Sequence, residues 1–389
     1  RSFLMNMFGG KLETTELFPY PEPLNAEQKE FAAALVDPVH KFFTEVNDAV
    51  RNDDTSNVDR RTIDALWDLG LLAVYVPPEL GGLGLCNVQS VLMAEISGSY
   101  DLALSLLIGA HKSIGTKGMC VESVDAATGE KRNKMTAFIV ERSFGGVSTG
   151  PPEDKMGLKC SVTNELFLDD VKVPVENVLG EVGNGFKIAV NILNSGRYGL
   201  GAMLSGTMKT CVEKAAAHVS DRVQFGRKLI EFENVQEKLA MMTTQQYVAQ
   251  TLTYMVSGNM DKGSVDFHLE AASIDVFSTT VESLLRTHGK GIAERQFQLA
   301  RVADCAIFIY SMVTVLSRAS RAVKLNLPSA EQELLMAQIW CKEASDRVQQ
   351  NIHRIQSKSF KENYQRMATV ASYISNQRGP TYTNPLEID

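Results

Sequence analysis

The chain has no Cys-x-x-Cys pair, no histidine at metal-ligand spacing from a cysteine, no internal repeat and no low-complexity tract. These gaps exclude a zinc ribbon, a thioredoxin-type redox motif and a solenoid. The six cysteines, Cys86, Cys120, Cys160, Cys211, Cys305 and Cys341, therefore read as reduced, mostly buried thiols in a reducing compartment, with no metal site. No apolar run reaches the roughly 18 residues expected of a membrane span. Basic residues are not in excess either: the formal net charge is −7, which leaves no electrostatic case for binding nucleic acid. What remains is ordinary: 389 residues, 44% hydrophobic and 22% charged, long enough for more than one globular domain.

Most of the chain is patterned for helix. Residues 26–36 and 61–70 are amphipathic, the second closing at Gly70, a favourable helix C-cap. Pro77-Pro78 and Gly81-Gly82 mark a turn-rich loop. The character changes over 134–174. Thr136–Val140 is β-prone, and Leu166–Leu168 with Val171–Val173 flank Asp169-Asp170 as an expected hairpin, ended by Pro174. Helical spacing returns at Leu200, Met203, Leu204, Met208, Cys211 and Val212, and again at Val235, Leu239, Met242, Val248, Leu252 and Met255. A heptad-like seam follows at Val302, Ala306, Ile309, Val313 and Leu316.

Between two of these helices lies Arg222-Val-Gln-Phe-Gly226. A guanidinium fork suits a diphosphate, an amide suits the edge of a heterocycle and an aromatic ring can stack. One helix upstream, Asn194-Ser-Gly-Arg197 combines small residues with a fixed cation. Either segment alone is weak: an Arg at a helix junction is usually solvated, and small residues usually serve close helix packing. His111 reads as a core histidine. Lys155 and Lys159 read as solvated, as does the basic cluster of Arg318, Arg321 and Lys324.

A series of segments in fixed order gives these residues a context. They are Val76-Pro-Pro-Glu-Leu-Gly-Gly-Leu-Gly84, Gly109-Ala-His-Lys-Ser-Ile-Gly115, Lys134–Arg142, Lys155-Met-Gly-Leu-Lys159, Val173–Phe186 and Arg222–Gly226. In these segments the chain resembles the acyl-CoA dehydrogenase family, from about Phe3 to the C-terminus, including a C-terminal helical region that most family members lack. The resemblance implies a mainly α fold with a β-domain. Its expected parts are an N-terminal helical domain (1–118), the remnant of a β middle domain (119–178), an incomplete C-terminal helical bundle (179–272) and a helical C-terminal extension (273–389). It implies FAD as cofactor, held by Arg222, Gln224 and Phe225 across a homodimer interface. It implies acyl-CoA held along Asn194, Ser195, Gly196 and Arg197, with Tyr198 and Gly199 lining or shaping the channel.

The activity implied is FAD-dependent α,β-dehydrogenation of long- or very-long-chain acyl-CoA to the trans-2-enoyl-CoA in fatty acid β-oxidation. Electron-transfer flavoprotein would be the acceptor. The expected location is mitochondrial, on the matrix side of the inner membrane with peripheral contact to it, although no transit peptide is legible. Two family motifs are missing. After Ser113–Gly118 the flavin-binding Thr-Glu-Pro…Gly-Ser-Asp and Trp-Ile-Thr/Ser-Asn-Gly motifs are absent, and after Asp266–Ala272 so is the Glu-Gly-Thr-Asn motif with the catalytic glutamate. No catalytic residue is therefore assigned; Glu165, Glu176, Glu181 and Glu233 stand in other contexts. Three readings account for the gaps: two segments missing from a longer protein, a splice form, or a degenerate relative. The first is expected, because both junctions fall where the cofactor site would be and the flanks keep the family pattern. The alternative function is a non-catalytic relative that scaffolds assembly of respiratory complex I.

Overall fold

A computed structural model describes residues 3–8, 11, 13–111, 119–124, 133–262 and 275–378. In chain order the main elements are α1 (Phe3–Phe8), α2 (Ala26–Lys41), α3 (Ala49–Thr55), α4 (Arg60–Asp68), α5 (Asn87–Tyr100), α6 (Leu102–Ala110), β1 (Met119–Val124), β2 (Asn133–Phe138), β3 (Val147–Pro152), β4 (Asn164–Leu168) and β5 (Val178–Leu179). Then come α7 (Gly185–Asp221), β6 (Val223–Gln224), β7 (Arg227–Lys228), α8 (Glu233–Asp261), α9 (Asp275–His288), α10 (Gln296–Lys324), α11 (Ala330–Gln356) and α12 (Lys358–Gln377). The chain packs as two compact units: Pro21–Val265, and Arg1–Tyr20 together with Asp266–Asp389.

The larger unit is built on α5, α7 and α8. Helix α5 is buried on nearly every side, and it lies close enough to α7 for backbones to touch. A Cβ added at Gly206 would collide with the carbonyl oxygen of Glu95, and one at Gly98 with that of Met203. This corrects the hydrophobic stripe read for α7. Met203 is buried, but Leu200 and Leu204 are each 41% exposed, and the buried face is Ala202, Met203, Ser205 and Gly206. Small residues win the interface because they let two helix backbones approach, and a hydrophobicity pattern does not register that gain. On the other side of α5, Phe42, Phe43, Leu66, Leu71, Leu104 and Ile108 form the main apolar core. There α2 runs on into a π-helical turn, Phe42–Val46, and Gly70 turns the chain out of α4 with φ +71°.

The β portion is small. β1, β2 and β5 form an antiparallel sheet in that order, with Met119 opposite Phe138 and Ala137 opposite Leu179. Strand β4 does not form the expected hairpin with 171–173. It pairs with the upstream β3, Val147 opposite Leu168 and Thr149 opposite Leu166. Asp169 donates its N–H to the Gly146 carbonyl and Asp170 takes φ +48°, so the two aspartates close that ladder and turn the chain away from it. α7 starts on β2: Gly183 N–H donates to Thr136 Oγ1 at 3.0 Å, and a Cβ at Gly185 would sit 2.7 Å from the Met135 carbonyl oxygen.

The second unit centres on α10 packed along α11, with Ala319, Ala322, Ala337 and Ala344 all buried. Helix α10 is long and apolar enough, by length and composition, to cross a membrane, and 39% of its apolar window is buried inside the protein. Its seam holds at Val302, Ala306 and Ile309 but not at Leu316, which is 42% exposed. A 3.6-residue helix drifts off a strict heptad, by roughly 20° per repeat. Arg318 is not simply solvated: its Nε lies 3.3 Å from the carboxylate of the buried Glu333, which also accepts from Ser329 Oγ at 2.8 Å. The N-terminal arm belongs to this unit. Phe3 and Leu17 are fully buried, the Phe3 ring lies 6.3 Å from that of Tyr310, and Ser317 Oγ donates to the Leu17 carbonyl.

Two predictions follow from packing. Gly206→Ala forces α5 and α7 apart against a backbone atom that cannot yield, so it lowers stability by on the order of 1–3 kcal/mol, read as a lower melting temperature. Gly199→Ala, where a Cβ meets nothing within 4 Å, leaves stability equal or higher, since alanine is the better helix former; equal losses would refute the close-packing account. Burial pushes the Cys160 thiol up to about 11 and the Cys305 thiol up to about 12, whereas Cys211 is exposed. A thiol reagent at pH 8 should therefore label Cys211 in the native protein and reach Cys160 and Cys305 only on unfolding, as peptide mapping would read out.

Candidate functional site

The two segments singled out in the sequence lie at different places on α7. Gly196 and Arg197 sit in its first half; Arg222 caps its end. The side chains of Asn194 and Ser195 lie outside the described residues. A Cβ at Gly196 or at Gly199 would meet nothing within 4 Å, so neither glycine serves helix packing as Gly98 and Gly206 do. This small-residue face of α7 is open, Arg197 beside it is exposed, and Leu200 and Leu204 continue it as an apolar strip. Behind it, Leu71, Val74, Met93, Ser105, Ile108 and Met203 line a cavity of about 10 Å³, enough for about one water.

Tyr198 turns the other way. Its ring packs against the buried cluster of Val91, Ala94, Ala202 and Met203. Its hydroxyl donates to Asn87 Oδ1 at 2.8 Å and lies 2.8 Å from the hydroxyl of Tyr75. Tyr198 thus anchors α7 rather than lining an open channel. Burial, and next the neighbouring Tyr75 hydroxyl, raise its pKa well above the ordinary tyrosine value.

Arg222, Gln224 and Phe225 share one tight hairpin. β6 and β7 pair Val223 with Lys228 and Gln224 with Arg227, leaving Phe225 and Gly226 as a two-residue loop with φ +51° and +80°. A turn of that kind needs positive φ at both central residues, which Gly meets freely and Asn or Asp meets better than a bulky side chain. A phenylalanine there, 93% exposed, is held in a costly conformation with its ring in solvent, a pairing that points to recognition rather than folding. The base of the hairpin is braced by a pair that the sequence reading did not single out. The Arg227 guanidinium lies 3.9 Å over the Phe232 ring, and Phe225 meets the same ring edge-on at 6.4 Å. Arg222 is pinned by its backbone, donating to His218 and accepting from Leu229, each at 2.9 Å. Its guanidinium is exposed and, among the described residues, makes no ion pair. A free guanidinium, an amide and an upturned ring on one rigid loop fit the charged end of a dinucleotide such as FAD.

Other candidates resolve into structural roles. The His111 ring stands edge-on to Trp67 at 5.7 Å and is half-buried. Lys155 Nζ donates to Ser161 Oγ at 2.7 Å and to the Ser161 carbonyl, and Lys159 N–H donates to Asp53 Oδ1 at 3.0 Å, so both order a loop. Glu165, Glu176, Glu181 and Glu233 are all exposed, unlike the desolvated setting that tunes a carboxylate to act as a base near neutral pH. A buried carboxylate of the larger unit is Glu95 on α5. It accepts from Gln250 Nε2 at 2.6 Å, Tyr254 hydroxyl at 2.8 Å and Ser205 Oγ at 3.4 Å. Its sequence signal was a lone acid inside the apolar run Val91–Ile96.

Comparison with known proteins agrees with the order of segments. Residues 25–130 match the model of the acyl-CoA dehydrogenase N-terminal domain, 183–285 that of the acyl-CoA dehydrogenase C-terminal domain, and 266–380 that of the ACAD9/ACADV C-terminal domain. The mitochondrial very long-chain specific acyl-CoA dehydrogenase of Rattus norvegicus is 33% identical over 585 positions, spanning 100% of this chain and 89% of the relative. The Homo sapiens protein of the same name is 32% identical over 583 positions, spanning 99% and 89%. An alignment of 585 positions against a chain of 389 residues leaves many positions of the rat protein without a counterpart here. Among solved structures, an acyl-CoA dehydrogenase from Bacillus anthracis complexed with FAD superposes with a TM-score of 0.74 at 21% identity, over 92% of this chain and 94% of that one. The helical halves flanking a small β portion are thus the acyl-CoA dehydrogenase fold, and the chain belongs to the acyl-CoA dehydrogenase family.

Proposed function

We propose that this protein is a flavin-dependent dehydrogenase of fatty acyl-CoA thioesters that acts on long or very long acyl chains. The reading is carried by one observation: the exposed, braced hairpin that holds Arg222, Gln224 and Phe225 clear of the rest of the chain. Bound FAD would supply hydride acceptance from the acyl β-carbon. Arg222 would hold its diphosphate, Gln224 the edge of a heterocycle, and Phe225 would stack. Because these side chains face solvent and not their own subunit, a second copy completes the site, and the working form is a homodimer. On α7, the segment Asn194, Ser195, Gly196 and Arg197 would lie along the acyl-CoA, with the helix open at Gly196. The missing side chain at Gly196 gives room for the thioester portion, and Arg197 supplies fixed positive charge beside it.

The family relatives named above support a mitochondrial setting, and the proposal extends to the matrix face of the inner membrane with peripheral contact there. Electron-transfer flavoprotein is the proposed acceptor. The division into 1–118, 119–178, 179–272 and 273–389 belongs to the same proposal. No residue is assigned to remove the α-proton. The absence of a Glu-Gly-Thr-Asn segment favours a second reading, a relative that no longer catalyses and scaffolds assembly of respiratory complex I.

Anaerobic addition of a long-chain acyl-CoA to the FAD-loaded protein separates the two. Bleaching of the flavin absorption supports the dehydrogenase; retained flavin with no bleaching supports the scaffold. Arg222→Ala should weaken FAD retention about tenfold or more while leaving the fold intact, as expected for losing a charge-assisted contact. Unchanged FAD occupancy in that variant would overturn the assignment of the hairpin.

A further inference from the structure

The hydroxyl chain behind the open face of α7 has no part in the chemistry above. It joins four separate parts of the larger unit: Tyr75 in the loop after α4, Asn87 at the start of α5, Tyr198 in α7 and Asp261 at the end of α8. Asp261 closes the N-terminus of α5, accepting from the N–H groups of Asn87 and Val88 at 2.9 Å each, where a carboxylate meets the positive end of the helix dipole. The same Oδ1 accepts from Asn87 Nδ2 at 2.7 Å. A carboxylate only accepts, so this contact fixes the amide of Asn87 with its oxygen turned to Tyr198. Tyr198 must then donate to Asn87 Oδ1, and its own oxygen is left to accept from Tyr75.

These bonds hold Tyr198 inward on α7. Successive residues on a helix are about 100° apart, so with Tyr198 locked inward, Arg197 and Gly196 are carried round to the outer side, as their exposure shows. We propose that Tyr198 is a positioning residue, whose hydrogen bonds to Asn87 and Tyr75 hold α7 at the rotation that offers Gly196 and Arg197 to the CoA thioester. The proposal rests on the acyl-CoA reading above.

The test uses the FAD-loaded full chain and palmitoyl-CoA as the probe, with affinity read by calorimetry well below the melting temperature. Tyr198→Phe keeps the ring in its apolar cluster and removes only the hydroxyl. The expected result is an affinity about five- to tenfold weaker, the equivalent of one lost hydrogen bond, with the circular dichroism unchanged. Tyr75→Phe, which leaves the Tyr198–Asn87 bond in place, should bind within about twofold of the original protein. If Tyr198→Phe fails to fold, Asn87→Ala removes the same bond from the acceptor side, leaves the backbone contacts to Asp261, and is read in its place. A lower melting temperature with unchanged affinity would mean that the chain only stabilises the fold, and would overturn the proposal. Failure of the original protein itself to bind palmitoyl-CoA would overturn the acyl-CoA reading, and the positioning role with it.

Discussion

The larger unit depends on a carboxylate out of water. Glu95 lies in the middle of α5, 7% exposed, and among the described residues it is met by no cation. It is held by hydrogen bonds from Ser205 on α7 and from Gln250 and Tyr254 on α8. Burying a charge without partners is expensive, and hydrogen bonds to a charged acceptor are correspondingly strong. The three helices must therefore keep one relative position to keep Glu95 satisfied. The close backbone contact at Gly98 and Gly206 and the capping of α5 by Asp261 act in the same direction.

That rigidity is what a ligand face on α7 requires. A site held on packed helices keeps its geometry better than one on loops. Here Tyr198 and Ser205 make their hydrogen bonds on the inner side of α7, and the helix is open at Gly196 and Gly199. The hairpin at the far end of the same helix uses a different device. Its backbone is short and paired, Arg227 stacks on Phe232, and Arg222, Gln224 and Phe225 are exposed. One helix thus carries both elements, with the acyl-CoA face proposed along its first half and the dinucleotide contact at its end.

Much of this was legible in the sequence. The amphipathic helices at 26–36 and 61–70, the turn at Gly70 and the family's ordered segments are local signals, and local signals survive in a linear string; the two-residue loop at Phe225-Gly226 was not read, because a bulky phenylalanine is not the residue such a turn calls for. The failures share a cause. The buried side of α7 was misread because Gly206 gains its place from a backbone atom of Glu95, about a hundred residues away. The hairpin at Asp169-Asp170 was drawn to its neighbour in sequence, while the real partner of β4 is β3, across the 153–163 loop. Tyr198 was read as lining or shaping the channel; its inward turn was not legible, because Asn87 and Asp261, which set it, come from the starts and ends of other helices. Glu95 went unremarked because an acid in an apolar helix is explained only by donors from two further helices.

The measurement closest to the centre of this account is hydrogen exchange along α5, α7 and α8 of the FAD-loaded protein, with and without a long-chain acyl-CoA. The account predicts that α5 and the inner turns of α8 exchange slowly in both states, since Glu95 and Asp261 already hold them, and that added protection appears on α7 around residues 194–201. Protection that appears on α10 and α11 instead, or none on α7 at saturating ligand, would contradict it.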